Sequence, residues 1–336
     1  MPGKPSALWI DWGRNLRTRT LARRLEVEVL EIRIGGNRLW RYLKSMRRTV
    51  AAIRRSRPRL VIATNPSLVL GLLLLGLRRW YGFALVSDAH YVGVRTLSDR
   101  RLLQRTLDYY NSRVDLVIVT NEAHARYLAS LGARTHVCPD PLPDLSGRLD
   151  SRVPVPEKSV FLVCSFERDE PYQAAFGAFS SLEPLGFTLL VSGNYHRAGV
   201  DPARFPWVRF LGYVSEDEYY AYLASCAITM DLTTLEDCLL CGAYEALAAA
   251  RPLVVSNTRA LADYFGAAVV LTENAPEAIA ASILSAHAQR DELTHKSRDW
   301  AVRNEAFMSG RIASLQDTLR ELCATAARAP AKRLAS

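Results

Sequence analysis

Residues 227–257, AITMDLTTLEDCLLCGAYEALAAARPLVVSN, constrain the fold more than any other stretch. An apolar run ends at Asp231 and Leu232, a polar turn carries Glu236 and Asp237, and an alanine-rich helical run begins near Gly242. A second apolar run, Leu253 to Ser256, follows Arg251 and Pro252. Strand, loop, helix and strand in that order form the unit of a parallel sheet, because parallel strands need a crossover between them. The first turn of such a helix exposes unpaired N–H groups and the positive end of the helix dipole. An anion fits there, between Asp237 in the loop and Glu245 eight positions further on in the helix.

The same alternation runs through the whole chain. In the first half it predicts strands over 7–12, 26–33, 60–64, 83–88 and 115–120, with helices over 39–57, 66–80, 99–112 and 122–131 between and after them. Five strands interleaved with helices make a doubly wound α/β domain. Residues 139–157, PDPLPDLSGRLDSRVPVPE, carry five prolines and no sustained period. They mark a break in the chain, with 146–157 as linker between a domain over 1–145 and a second over 158–310. Strands then resume over 160–164, 188–192, 208–211, 228–232, 253–256 and 268–271. Residues 311–336 read as a helix returning to the first domain, with a frayed tail.

The net charge of +9 is unevenly spread. Residues 1–150 hold 26 Lys and Arg against 12 Asp and Glu, whereas residues 151–336 hold 17 against 22. A basic half suits nucleic acid, an anionic membrane surface or a phosphate-bearing substrate. Its aromatic residues do not interleave with the basic ones, so nucleic acid is not an expected partner. Over 39–57, Leu43, Met46, Val50 and Ile53 share one stripe while Arg41, Lys44, Arg47, Arg48, Arg54 and Arg55 lie mostly off it. Such a basic amphipathic helix either presents a solvated face or meets anionic lipid. The N-terminus has no apolar region of signal-peptide length, and Leu68 to Leu77 falls short of the ~18 to 20 residues that span a bilayer. The expected location is cytoplasmic, peripheral at the inner face of the cell membrane; oligomeric state is left open.

Metal and redox chemistry are not expected. Cys238 and Cys241 form a C-x-x-C with no second pair for zinc, no D-x-D sits at a strand end, and the six His are dispersed. In the first half Asp88-Ala89-His90 falls just past a strand, where open parallel sheets place ligands.

Residues 237–253, DCLLCGAYEALAAARPL, resemble the acidic-x7-Glu region of retaining glycosyltransferases of the GT-B fold, family 4 and its relatives, where the pattern reads roughly EGFGLxxLEAMAxGxPV. Asp237 falls on the first acid and Glu245 on the second. TNEAHARYLASLGA at 120–133, LGYVSEDEYYAYLASCAI at 211–228, the loop after the first strand and His90 extend the resemblance over nearly the whole chain. It implies two Rossmann-like doubly wound domains facing across a cleft, an N-terminal one for the acceptor and a C-terminal one for a nucleotide-diphosphate sugar. It also implies that Glu245 takes ribose hydroxyls, that Asp237 or neighbouring Glu236 faces the sugar, and that the backbone of Cys241 and Gly242 receives the diphosphate. Ser165, Asn194 and Tyr213 fall at loops near the donor, and His90 and Asp88 near the transferred sugar or acceptor.

The chain departs from the family pattern where the first loop of the C-terminal domain should read G-R-x-x-x-K-G. It reads SFERDEPY at 165–172, without the Arg and Lys that bind diphosphate. The replacement charge is expected from Arg14 or Arg17 in the loop after the first strand, where Gly13 is also expected to contact the donor. The implied activity is metal-independent transfer, with retention, of a sugar to a hydroxyl of a glycan or lipid-linked acceptor, with no cofactor. A nucleotide-sugar 2-epimerase or an inverting GT-B transferase would use the same fold. A noncatalytic membrane-associated scaffold with a degenerate donor site is the alternative of another class.

Overall fold

The computed structural model describes residues 7–65, 67–96 and 100–328. The chain divides into two compact units, residues 1–141 with 307–336, and residues 142–306.

In the first unit, β1 (Ala7–Asp11), α1 (Leu16–Leu25), β2 (Glu28–Glu31), α2 (Arg38–Ser56), β3 (Leu60–Asn65) and α3 (Leu68–Tyr81) are followed by β4 (Ala84–Ala89), α4 (Tyr91–Val94) and α5 (Arg101–Arg113). The unit continues with β5 (Leu116–Val119), α6 (Glu122–Ser130) and β6 (Thr135–Val137). The six strands form one parallel sheet in the order β2-β1-β3-β4-β5-β6. All six residues of β3 and of β4 are buried, as expected of central parallel strands covered on both faces. The sequence pattern gives five strands here and the sheet has six. The sixth, Thr135–Val137, is three residues long with only Val137 buried, too short and too exposed to show a period.

The second unit holds β7 (Ser159–Val163), α7 (Tyr172–Leu182), β8 (Thr188–Ser192), β9 (Val208–Gly212), α8 (Glu216–Ser225), β10 (Ile228–Asp231) and α9 (Cys241–Ala248). These are followed by β11 (Leu253–Ser256), α10 (Arg259–Phe265), β12 (Val270–Thr272), α11 (Pro276–Ala288) and α12 (Arg290–Arg328). Its six strands are also all parallel, in the order β12-β11-β10-β7-β8-β9. The proline-rich residues 142–157 fall within this unit, where Leu142, Leu145, Leu149 and Val155 pack with Phe161 and Tyr220.

The long helix α12 serves both units. Leu293 and Trp300 belong to cores of the second. Met308, Ile312, Leu315, Leu319 and Cys323, spaced four, three, four and four, form a buried stripe against Trp9, Ile62, Val86 and Ile118 of the first. No helix among the described residues is long and apolar enough to cross a membrane.

Candidate functional site

Parallel sheets of this kind place ligands at the carboxyl ends of their strands. In the first unit that edge is built around a buried ion-pair network. Asn15 caps α1 by accepting from Arg17 N–H at 2.9 Å, which orients the first turn inward. Arg17 is thereby buried, and its guanidinium is fully engaged. Nε donates to Asp88 at 3.1 Å, Nη1 to Asp140 at 2.5 Å, and Nη2 to the Cys138 carbonyl at 2.8 Å. Burial opposes its charge, but Asp88 and Asp140 outweigh that and raise its pKa further.

This placement corrects two expectations. Arg17 does not stand free to meet a diphosphate: it is an internal clamp joining the ends of β4 and β6 to the start of α1. Asp88 is fully buried in that clamp, so its contact with the site runs through His90, whose Nε2 lies 3.8 Å from Asp88 Oδ2. His90 is half-buried at the start of α4 and also lies 3.4 Å from Asn15 Nδ2. Arg14 is exposed on the same loop. Gly13 donates its N–H to Asp11 Oδ1 at 2.7 Å. Burial pushes the Asp11 carboxyl up, with Glu31 and Asp88 adding to the effect. Asp11, Trp12, Gly13, Arg33, Arg41 and Tyr42 are among the residues lining an open recess of about 730 Å³.

In the second unit the corresponding edge contains two backbone anion cradles. The first is the loop after β7. Phe166 adopts a left-handed φ of 62°, which turns successive N–H groups toward one point. Ser165 N–H, Ser165 Oγ and Glu167 N–H all donate to the Glu170 carboxylate, at 3.0, 2.8 and 2.9 Å. The second is the N-terminus of α9, where the backbone N–H groups of Ala243 and Gly242 favour the charged form of the nearby Asp231 carboxylate. A Cβ at Gly242 would stand 2.6 Å from Asp231 Oδ2, so the glycine is what lets this carboxylate reach the helix. The two loops are pinned together by Asp169, whose carbonyl accepts from Thr234 N–H at 2.7 Å.

The Gly242 backbone that the sequence assigns to diphosphate therefore lies against the chain's own Asp231. Cys241 is the exposed first residue of α9. Glu245 lies one turn further on, accepting from Tyr219 Oη at 2.5 Å with Tyr220 Oη at 3.5 Å from its other oxygen. Burial pushes the Glu245 carboxyl up against the opposing effect of these hydroxyls. Asp231 is raised further, by burial first and then by Glu170 and Glu245.

Other sequence-chosen residues sort by position. Glu236 accepts from Arg259 N–H at 3.2 Å at the start of α10, so it works as a helix cap. Asp237 is half-buried in the loop before α9. Asn194 closes a turn by accepting from Arg197 N–H at 3.1 Å, and Tyr213, after β9, is 91% exposed. Among the described residues no three His, Cys, Asp or Glu are arranged to hold a metal ion.

Sequence reasoning missed Glu170, Asp231, Tyr219 and Asp140. Asp231 carries a usable signal, an acid as the last residue of an apolar strand directly before a helix of the crossover unit. Glu170 sits inside SFERDEPY, where three acids stand together and only geometry distinguishes the one that enters the cradle.

Asp231 and Glu245 each bind a proton more readily in the folded chain than in the unfolded one. Their contribution to stability is full below the ordinary carboxylate values of 3.8 and 4.5 and is lost as pH rises through the raised ones. Asp231→Asn should therefore flatten the pH dependence of stability above about pH 4, read as urea midpoints of variant and parent across that range. An unchanged slope would place the coupling elsewhere.

No protein-family model matches the chain, and no curated protein matches it in sequence. Solved structures match it along nearly its whole length. Sucrose-phosphate synthase of Thermosynechococcus elongatus is 17% identical over 96% of this chain and 100% of that one, with a TM-score of 0.78. Anabaena HepE, in complex with UDP and glucose, is 16% identical over 95% and 99%, with a TM-score of 0.68. A Listeria monocytogenes protein described as a UDP-N-acetylglucosamine 2-epimerase is 13% identical over 93% and 98%, with a TM-score of 0.60. These likenesses, with two six-stranded parallel sheets flanked by helices, show that the chain has the α/β GT-B fold.

Proposed function

We propose that this chain is a nucleotide-sugar-dependent glycosyltransferase. It moves a hexose from a nucleoside diphosphate to a hydroxyl of a glycan or lipid-linked acceptor, with retention and without a metal or cofactor. The observation that carries the reading is the edge of the second unit, where the backbone anion cradle after β7 is pinned to the loop that leads into α9, whose second turn carries the half-buried Glu245. A nucleoside diphosphate needs such a set: oriented N–H groups for phosphate oxygens and a carboxylate for vicinal ribose hydroxyls. HepE, which has the same fold, binds UDP and glucose.

In this reading Glu170 is a placeholder in the open cradle, displaced when a phosphate takes over its hydrogen bonds to Ser165 and Glu167. Arg168, exposed on the same loop, supplies positive charge. Asp231 is buried too deeply to leave, so it keeps its place at the start of α9 and the phosphate enters the cradle after β7. Glu245 exchanges Tyr219 for the ribose, Asp237 faces the sugar, and His90 serves the acceptor. In the reaction the anomeric carbon gives up its bond to the diphosphate oxygen and gains one to the acceptor oxygen, while the acceptor proton leaves with the diphosphate. Rate comes from positioning and from stabilising the leaving group.

The test incubates the purified chain with a panel of nucleotide sugars and hydroxyl acceptors, with and without chelator, and follows products by NMR. Acceptor-dependent release of nucleoside diphosphate that survives chelation is expected. Conversion of the donor sugar without acceptor would identify an epimerase instead. Glu245→Ala should lower kcat/KM by ten- to a hundredfold, about the loss expected for removing charge-assisted bonds to two hydroxyls.

A second reading, a noncatalytic scaffold, is favoured by the cradles being filled by the chain's own acids. It requires that no nucleoside diphosphate binds even after the Glu170 carboxylate is neutralised.

A further inference from the structure

Helix α2 is built the wrong way round for a helix of a water-soluble domain. Its buried face consists of Ser45, Thr49, Ala52 and Ile53, three of them small or hydroxyl-bearing. The larger apolar side chains look outward, with Leu39 66%, Trp40 63% and Leu43 40% exposed. Leu39, Leu43, Met46 and Val50, spaced four, three and four, lie along one line of the helix, and Trp40 stands beside it. Trp40, Leu43, Met46, Arg47, Val50 and Arg54, all on α2, line a shallow outer groove. The inner face explains the inversion. Thr49 Oγ1 accepts from Trp12 Nε1 at 3.0 Å, so hydroxyl and small side chains are what fit against the β1 edge.

The charge on the helix is equally one-sided. Its nineteen residues include Arg38, Arg41, Lys44, Arg47, Arg48, Arg54 and Arg55, and no acid. Arg47 and Arg54 lie among the exposed apolar side chains, and Arg41, Lys44, Arg48 and Arg55 form the next row around the helix. Exposed tryptophan and leucine with interleaved cations on one helix face match the boundary of an anionic bilayer, where the apolar groups enter the acyl region and the cations meet lipid phosphates. The adjoining α3 exposes Val69, Leu72 and Trp80 as well.

We propose that the outer face of α2 docks the chain onto an anionic membrane surface, with Leu39, Trp40 and Leu43 entering the headgroup boundary and the surrounding Arg and Lys residues binding phosphate. This is independent of the reaction assigned above, since vesicle binding is read without turnover.

The test is co-flotation of the full chain with phosphatidylglycerol-rich vesicles and with pure phosphatidylcholine vesicles, at low and high salt. Binding to the anionic vesicles is expected, with at least tenfold weaker partitioning to neutral ones, and with loss on raising salt because exposed charges are screened. Replacing Leu39, Trp40 and Leu43 together by serine should abolish binding, and each of Arg47→Gln and Arg48→Gln should weaken it about fivefold. These side chains are exposed, so the far-UV spectrum and unfolding midpoint should stay those of the parent. Quenching of tryptophan emission by brominated lipid, lost in Trp40→Phe, locates the insertion. No binding at low salt, or undiminished binding by the triple variant, would overturn the proposal. A chain that ignores vesicles but forms a dimer dissolved by the triple variant would do so as well, and would assign the face to a second copy.

Discussion

Arg17→Ala is expected to destabilise the first unit by about 3 to 5 kcal/mol, the cost of leaving a buried carboxylate unpaired. The basis is that Asp88 is fully buried and Arg17 is its ion-pair partner at 3.0 Å, while the same guanidinium holds Asp140 and the Cys138 carbonyl. Removing it leaves the Asp88 charge at the end of β4 with no water to solvate it, and leaves Asp140 with only partial access to solvent. Lysine, a point charge, cannot reproduce three directed contacts, so Arg17→Lys should recover only part of the loss. Urea unfolding followed by circular dichroism measures the effect. A loss below about 1 kcal/mol would mean that the clamp is dispensable, as exposed ion pairs are. His90 stands on this clamp, so any activity should fall with it.

Gly193→Ala is the second large effect. Gly193 follows β8 with φ of +108°, outside the range that side-chain-bearing residues adopt readily, and an added Cβ would lie 2.3 Å from the Cys164 carbonyl oxygen and 3.1 Å from the Phe166 ring. Backbone strain of this kind alone costs about 1 to 3 kcal/mol. The clash cannot be relieved by a rotamer change, because its nearest atom is main chain. Cys164 and Phe166 belong to the loop whose N–H groups hold Glu170, so the variant should lose stability and nucleotide affinity together. An alanine variant with the parent's unfolding midpoint and affinity would show that the loop is not fixed by this packing.

The alternation of strands and helices was legible because buried parallel strands need continuous apolar runs and crossovers need amphipathic helices. β3 and β4 satisfy this along their whole length. β6 was not, because three partly exposed residues carry no period. The placement of Glu245 within the crossover helix and of His90 just past β4 was legible from spacing. The partners of Arg17 and Gly242 were not legible, because a sequence shows which groups carry charge or N–H donors but not which of them meet inside the fold. Arg17 is taken by Asp88 and Asp140, 71 and 123 residues away, and Gly242 by the acid that ends the preceding strand. Helix α2 shows the converse: its apolar stripe was evident, but the side facing the protein turned out to be the one bearing Ser45 and Thr49.

Calorimetric titration of UDP and GDP into the parent chain, Glu170→Gln and Glu245→Ala separates a working donor site from an inert fold. One nucleoside diphosphate site is expected in the parent. Binding should be roughly tenfold tighter in Glu170→Gln, because the resident carboxylate gives up its charge-assisted bonds to Ser165 and Glu167, and at least tenfold weaker in Glu245→Ala. No binding of either nucleotide to the parent or to Glu170→Gln, or weaker binding after Glu170→Gln, would contradict the donor-site reading.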